Sequence, residues 1–367
     1  MAFAVDRIIS SVWPNTKPIR IAIVGEAPYE QEVLSNQPFA GNALHQLKQW
    51  LEAGDYALED CLLTNVFRKK ALQNDVQNHF LKKSAAKSFA KMTKERGHEW
   101  KPYFGWDSPA GSRGYPRPDM EPFLEELVQE IRAAQPNVVL ALGAVALWAL
   151  TGFDKIGTYR GTAMMSRPEF GPVKVLGTYH PYAIIRNWDN RYVAVTDTMK
   201  AVRESEYPDI RRREREIWIE PTLKDLDTFY ERYIEPLRGT GKPVAYDIET
   251  RGSDLVTCFG LSPDPSVSIV VPFVDSRNPG GHYWLSLNSE LAAFDWLAKI
   301  LEDPEITKLT HNGTYDYMWT IERMGIAPRG IIEDTLHMSH ALQPEQMKGL
   351  GHLGSLYTDA SAWKTLA

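Results

Sequence analysis

Ile19-Arg20-Ile21-Ala22-Ile23-Val24-Gly25 is a short apolar run that ends in glycine and leads directly into Glu26-Ala27-Pro28-Tyr29. Such a run predicts a buried strand, and the glycine predicts a turn at its carboxyl end. Helices are then predicted over 43–51 and 120–134, and further strands over 62–66, 137–142 and 173–178. Strands that alternate with helices favour an α/β domain with a parallel sheet, which places ligands at the carboxyl ends of its strands.

A second α/β pattern opens at Pro243-Val244-Ala245-Tyr246-Asp247. Strands are predicted over 255–261 and 267–273, followed by a helix (289–301), a strand (308–311) and a helix (315–324). This order predicts a mixed sheet with helices. A chain of 367 residues is also longer than chains that usually fold around a single hydrophobic core. We therefore expect two α/β domains, over 1–205 and 219–367.

The predicted linker over 206–218 contains the charged run Arg211-Arg212-Arg213-Glu214-Arg215. Solvated surface and contact with DNA phosphates both explain such a run. Residues 68–101 are also basic, with ten Lys and Arg against three acids and with Phe80, Phe89 and Trp100 interleaved. Stacking aromatics among positive charges suit a nucleic-acid strand, whereas a solvated helical insertion would turn its aromatics to the core. The sequence leaves both alternatives open.

Composition restricts the class of protein. The chain carries 41 Lys and Arg against 47 Asp and Glu, a formal charge of −6, so no uniform basic coat covers it. Its two cysteines, Cys61 and Cys258, cannot build a disulfide framework, which favours a reducing compartment. No apolar run approaches the roughly 20 residues of a membrane span, and no signal-peptide layout opens the sequence. We expect a cytoplasmic protein without membrane segments.

Four short motifs of the first domain occur in an order and spacing that chance explains poorly. They are Gly25-Glu26-Ala27-Pro28-Tyr29, Pro38-Phe39-Ala40-Gly41, Thr64-Asn65-Val66 and Tyr179-His180-Pro181-Tyr182. Over residues 18–200 this set resembles the uracil-DNA glycosylase superfamily, and it is most similar to the family-four and family-five patterns. The resemblance implies a parallel sheet sandwiched by helices and a base-binding pocket.

The resemblance also implies how these residues would act on a uracil that is taken out of the DNA stack and held in a snug pocket. Phe39 would stack on the base, and Asn65 would read its Watson–Crick edge. Glu26 or the adjacent backbone would position a water, and His180 would stabilise the uracil anion that develops in the transition state. Arg186 would reach a backbone phosphate.

Two departures from the family-four pattern alter these expectations. Tyr29 stands where glycine is usual, and its ring would either fence the pocket against a 5-methyl group or fill it. Val66-Phe67-Arg68-Lys69-Lys70 stands where that family has cluster cysteines, and two cysteines cannot ligate an iron–sulfur cluster. We therefore expect no such cluster.

In the second domain, Asp247-Ile248-Glu249 places two carboxylates on one face of a strand, because strand side chains alternate. Two adjacent carboxylates repel unless a cation lies between them, and hard divalent ions prefer oxygen ligands. His311-Asn312-Gly313-Thr314-Tyr315-Asp316 follows the strand predicted over 308–311. Together these motifs resemble, over 218–367, the proofreading 3′–5′ exonuclease domain of family A DNA polymerases, within the DEDD (DnaQ-like) nucleases.

This resemblance implies an RNase H-like mixed sheet and Mg²⁺ or Mn²⁺ held by Asp247, Glu249 and Asp316, with Asn312 supporting the loop or touching the substrate strand. The family's third motif, a Tyr or His shortly before a last Asp, normally follows the segment that matches 350–364, and we find no counterpart. Asp334 matches a helix-opening Asp outside the catalytic four. The isolated chain is therefore expected to be a weak or inactive exonuclease.

A glycosylase-like domain followed by a proofreading exonuclease resembles the N-terminal part of certain phage family A DNA polymerases. This implies a role in DNA replication and proofreading, a single-stranded 3′ end as substrate, a polymerase domain or subunit as partner, and the host cytoplasm as location. Two alternatives remain open. One is a DNA-repair glycosylase whose exonuclease-like domain only grips DNA, and the other is a non-catalytic scaffold for a separate polymerase subunit.

Overall fold

The computed structural model describes residues 7–252 and 255–362, and it divides the chain into two compact units. The first unit comprises Met1–Arg211 together with Gly351–Ala367, and the second comprises Arg212–Leu350. The division after Arg211 falls inside the predicted linker. Residues 351–362, which the prediction includes in the domain over 219–367, are grouped by their contacts with the first unit.

The first unit contains a parallel-rich sheet. Its strands are β1 (Ile21–Gly25), β2 (Leu62–Asn65), β3 (Phe80–Leu81), β4 (Tyr115–Pro116), β5 (Val138–Leu142), β6 (Ala163–Met165) and β7 (Lys174–Thr178). Five of them form a sheet in the order β2-β1-β5-β7-β6, and β3 pairs with β4 apart from it. The pairs within β2-β1-β5-β7 are parallel, as predicted. The edge strand β6 runs antiparallel to β7, because the connection between them is too short for a crossover.

Helices cover both faces of this sheet. They are α1 (Glu30–Ser35), α2 (Gly41–Glu52), α3 (Lys83–Glu95), α4 (Glu121–Ala134), α5 (Ala144–Thr151), α6 (Ile156–Tyr159), α7 (Pro181–Arg186) and α8 (Arg191–Glu204). Every residue of β1 and β5 is buried, as in parallel strands covered on both sides. Alternate side chains of β1 enter different cores: Ala22 and Val24 join Leu124 and Trp148, while Ile23 joins Trp50.

The second unit contains a mixed sheet. Its strands are β8 (Glu216–Trp218), β9 (Pro243–Arg251), β10 (Leu255–Asp264), β11 (Val267–Pro272), β12 (Thr307–Thr310) and β13 (Ile332–Asp334), in the order β13-β12-β9-β10-β11-β8. The neighbours β9, β10 and β11 are antiparallel, whereas β12 is parallel to β9 and β13 is parallel to β12. The helices are α9 (Leu223–Phe229), α10 (Leu287–Leu301), α11 (Thr314–Met324) and α12 (Thr335–Leu342).

The structure differs from the prediction at the end of the linker, and it shows a helix in the segment that matches 350–364. Residues 216–218, predicted as linker, form β8, because this stretch pairs with β11 and Trp218 packs edge-on against Phe229. The segment predicted over 350–364 begins with α13 (Leu350–Tyr357), in which Ser355 accepts a hydrogen bond of 2.8 Å from Arg160 Nη1. Lys364 lies outside the described residues. Among the residues that are described, no helix combines the length and the hydropathy needed to cross a membrane.

Candidate functional site

The turn after β1 holds Glu26 against the first turn of α5. Its Oε1 accepts a hydrogen bond of 3.0 Å from the amide of Val145. Gly143, just before α5, has φ +92°, and a Cβ there would lie 2.6 Å from Glu26 Oε1. Glycine at this position therefore lets the carboxylate reach the helix. Burial raises the pKa of Glu26, while the Val145 and Ala144 amides oppose that rise.

Phe39 and Asn65 meet at Gly25. A Cβ on Gly25 would lie 2.2 Å from Asn65 Oδ1 and 3.0 Å from Phe39 Cε1, so only glycine admits both side chains. Phe39 is 1% exposed and Asn65 is 3% exposed. Phe39 also adopts φ +56°, a left-handed conformation that is costly for a bulky residue and often marks a functional site.

Glu32, which sequence reasoning did not single out, connects these motifs. Its Oε2 accepts from the Tyr29 amide at 2.7 Å, and its Oε1 accepts from the Phe39 amide at 2.7 Å and from Asn65 Nδ2 at 3.3 Å. Burial raises the pKa of Glu32, and these three donors counteract the rise. The Asn65 amide is thereby oriented, and its Oδ1 is buried without a hydrogen-bond partner in the described part of the chain. The sequence feature that could have identified Glu32 is its position between the first two motifs, in what is the first turn of α1.

His180 lies at the end of β7 and is 7% exposed. Its Nδ1 accepts a hydrogen bond of 3.3 Å from the Tyr182 amide. Burial, together with the nearby charge of Arg186, lowers the pKa of His180 to about 3. The ring is therefore neutral at physiological pH, and its proton resides on Nε2 because Nδ1 is an acceptor. The ring centroids of His180 and Phe39 are 6.3 Å apart, so the motif residues gather in one place.

Two tyrosines lie over this group. The rings of Tyr29 and Tyr182 are 4.2 Å apart between centroids, and Tyr29 is 5.8 Å from the His180 ring. A cavity of about 10 Å³, lined in part by Glu26 and Tyr29, is the size of a single water site. Arg186 is exposed beside them, and its Nε donates to the Tyr182 carbonyl at 3.2 Å.

In the basic stretch over 68–101 the three aromatic rings differ in burial. Phe80 is buried against Trp148 and belongs to the core. Phe89 and Trp100 are half-buried, with Phe89 edge-on to Trp100 at 5.2 Å and Trp100 at 5.8 Å from Trp106. The opposite face of α3 presents exposed lysines, which lie at Lys83, Lys87, Lys91 and Lys94.

In the second unit Asp247 and Glu249 are exposed on one face of β9 and alternate with the buried Tyr246 and Ile248. Asp316, in the first turn of α11, is 4% exposed, and its Oδ1 accepts from the Ile248 amide at 3.1 Å. Burial raises the pKa of Asp316 to about 6, and the charge of Asp247 contributes to that rise. Asp247 and Asp316 are thus close enough to repel each other when both are ionised.

Asp334 has a structural role as the N-cap of α12. Its carboxylate accepts from the amides of Asn312 (3.1 Å), Gly313 (2.8 Å) and Leu336 (2.8 Å), and these bonds lower its pKa against the effect of burial. Asn312 is exposed with φ +61°, so the bonds to Asp334 hold this turn in a left-handed conformation. The turn leads directly into α11, which carries Asp316.

The acidic group offers carboxylate oxygens, the donor type that Mg²⁺ and Mn²⁺ prefer. When both are ionised, Asp247 and Asp316 repel each other, and a bound cation would relieve that repulsion. The donor chemistry of these residues therefore fits a divalent ion. Within the described ranges, however, no three His, Cys, Asp or Glu side chains are gathered closely enough to form a complete ligand set.

Comparisons with known proteins match both units. The Type-4 uracil-DNA glycosylase of Pyrobaculum aerophilum is 25% identical over 171 residues, which cover 45% of this chain and 68% of that protein. Among solved structures, Brucella melitensis NrnC is 20% identical with a TM-score of 0.28 and covers 41% of this chain. The EXD2 exonuclease domain soaked in Mn and GMP is 14% identical with a TM-score of 0.27 and covers 36%. The chain spans 63% and 62% of these two structures, less than two thirds of either.

The family models identify the domains more directly than these structural likenesses do. The model described as 3′-5′ exonuclease matches residues 224–365, which include β9, α11 and the acidic group. The model of the uracil DNA glycosylase superfamily matches residues 15–203, more than half of the chain, and this range contains all four motifs of the first domain. The chain therefore belongs to the uracil DNA glycosylase superfamily and carries a 3′–5′ exonuclease domain after its glycosylase-like domain.

Proposed function

We propose that this protein processes DNA, with a second domain that removes nucleotides from a single-stranded 3′ end and a first domain that recognises a base. The observation that supports the nuclease part best is the pair Asp247 and Asp316. Burial raises the pKa of Asp316 to about 6, with a contribution from the charge of Asp247, and a bound cation would stabilise both carboxylates in their ionised form. Glu249 is exposed on the same face of β9 as Asp247.

In this proposal Asp247, Glu249 and Asp316 would hold Mg²⁺ or Mn²⁺. A divalent ion in such a site supplies an activated water and neutralises the charge that develops on the phosphate. The Ile248 amide keeps the Asp316 carboxylate oriented, and Asp334 keeps the Asn312 turn in place. Asn312, exposed at that turn, would contact the substrate strand.

We further propose that the chain takes part in replication and proofreading in the host cytoplasm, as the N-terminal portion or a subunit of a phage-type family A DNA polymerase. The motifs of both domains and their order along the chain support this context. A polymerase domain or subunit would then supply the third nuclease motif. For this reason we expect the chain alone to degrade DNA weakly and a polymerase partner to strengthen the activity.

The test is degradation of a 3′-labelled single strand with Mg²⁺ or Mn²⁺. Asp247→Ala should abolish metal-dependent cleavage because it removes one of two adjacent carboxylates. Asp227→Ala, an exposed aspartate on α9, is the matched control and should retain it. Cleavage that survives Asp247→Ala would exclude this site, and full activity of the chain without a partner would show that no third motif is needed.

A second candidate function, uracil excision, is favoured by the neutral His180 beside Phe39 and Asn65. A neutral ring that carries its proton on Nε2 can donate to a developing uracil anion without having to lose a proton first. Uracil release from a uracil-containing strand in the presence of EDTA would establish it. His180→Ala should then lower the rate by about 10²–10³. The absence of both activities would favour the scaffold alternative.

A further inference from the structure

The residues predicted to contact a base are already covered by the protein itself. Phe39, Asn65 and His180 are almost fully buried by the surrounding side chains. A pocket ready for a pyrimidine would leave a face of Phe39 and the edge of Asn65 open to solvent.

The residues whose rings pack against His180 include Tyr29 and Tyr182. Their rings touch at 4.2 Å between centroids with a tilt of 50°. The Tyr182 ring also lies parallel to His180, at 5.6 Å and 10°, and the Tyr29 ring lies 5.8 Å from it. Both tyrosines are half-buried, so one side of the pair faces the covered group and the other faces solvent.

Both tyrosines are anchored through their backbones. The Tyr29 amide donates to Glu32, and the Tyr182 amide donates to His180 Nδ1. Replacement of either ring therefore leaves the bonds that orient Asn65 and His180 in place. The phenol rings are the part of this structure that can be removed or displaced without dismantling the base-contacting group.

We propose that Tyr29 and Tyr182 together form an aromatic plug that determines what the base pocket admits. This inference rests on the proposed base recognition by the first domain. With the plug in place, a pyrimidine binds only to molecules in which the two rings have separated. The apparent affinity is therefore the intrinsic affinity multiplied by the fraction of such molecules. Tyr182 is thereby a specificity-determining residue, although the motifs alone assign it no role.

The experiment uses the full chain and its Tyr29→Gly, Tyr182→Ala and double variants. Binding of free uracil is measured by calorimetry, and uracil release is measured on a uracil-containing strand. We expect the double variant to bind uracil about tenfold or more tightly than the wild type, as removal of a mostly closed state requires. Introducing His180→Ala into the double variant should weaken that gain, because the opened pocket would use the same ring.

Phe153→Ala is the matched control, since it removes another exposed ring, which stacks on Tyr159 in the same domain. It should leave uracil binding unchanged. If the double variant does not fold, Tyr182→Ala alone decides the question, with an intermediate gain expected.

Wild-type binding as tight as that of the folded variants would overturn the plug. Folded variants that bind no uracil while the chain still degrades DNA would overturn both the plug and base recognition but leave the nuclease proposal intact. A gain in uracil binding by the folded variants, with nuclease activity unchanged, would support the plug.

Discussion

Replacement of Glu32 by glutamine tests whether one buried carboxylate holds the motifs of the first domain together. The substitution keeps the size of the side chain and one carbonyl oxygen but replaces the other acceptor with an amide donor. The Tyr29 and Phe39 amides approach different oxygens of Glu32, both at 2.7 Å. Glutamine can therefore accept from only one of them, and its amide group then faces the other N–H.

The expected magnitude follows from the bond that is removed. A hydrogen bond to a charged group contributes about 1.5–3 kcal/mol, and the neutral side chain recovers part of this loss because it is easier to bury. We therefore expect a loss of about 2 kcal/mol in the free energy of unfolding of the first unit. In a unit of this size such a loss lowers Tm by about 4–8 °C. Because burial raises the pKa of Glu32 in the folded chain, protonation at acidic pH stabilises the wild type through this group but not the glutamine variant, so the difference should widen as the pH falls through the raised pKa.

Glu30→Gln is the matched control, because Glu30 occupies the same first turn of α1 but is exposed. Both substitutions remove the favourable interaction of an acid with the helix N-terminus, so their difference isolates the buried hydrogen bonds. Urea titration of both variants, followed by tryptophan fluorescence, measures that difference. Equal stability of Glu32→Gln and Glu30→Gln would refute the reasoning.

Further outcomes are expected elsewhere in the chain. The variants Lys83→Ala, Lys87→Ala and Lys91→Ala remove positive charges from α3. The plot of log affinity for a single strand against log salt concentration should become shallower by about 0.7 for each phosphate that is no longer neutralised. An unchanged slope would assign these lysines to solvated surface. Asp334→Ala should lower the free energy of unfolding by about 1–2 kcal/mol, since a helix cap is removed. A variant of unchanged stability that no longer cleaves DNA would show that Asp334 is catalytic instead. The unfolded chain binds a proton at His180 near pH 6.5 and the folded chain only near pH 3, so stability should fall as pH drops through this window, by at most about 4–5 kcal/mol. His180→Asn should flatten that pH dependence in urea titrations, and an identical pH profile would show that His180 does not cause it.

The secondary structure that carries the motifs was predictable because it follows from local patterns. β1 occupies Ile21–Gly25 within the predicted strand, and α10 occupies Leu287–Leu301, close to the predicted 289–301. Apolar runs bounded by glycine and helical periodicity are properties of neighbouring residues, so a single sequence reveals them. The edge strands β6 and β8 were missed because a strand of three residues is defined by its partner rather than by its own pattern.

The interior of the candidate site was less predictable. Asp247 and Glu249 share a face, as the alternation of a strand requires, and Asp334 caps a helix that it opens. The importance of Glu32 depends on three donors brought together from Tyr29, Phe39 and Asn65, which no spacing reveals. The pairing of Tyr29 with Tyr182 likewise joins the ends of two separate strands. Sequence motifs indicated which residues belong together, but not which side chains would cover them.

The first unit is built from two pieces of chain, and this has a consequence for synthesis on the ribosome. The hydrogen bond from Arg160 to Ser355 joins residues that are 195 positions apart, and both belong to that unit. At about 5–20 residues per second, roughly 10–40 s separate the emergence of one partner from that of the other. The second unit, which is one continuous stretch, can finish folding within that interval. The unit whose synthesis begins first therefore receives its last segment only after the whole of the second unit has been synthesised.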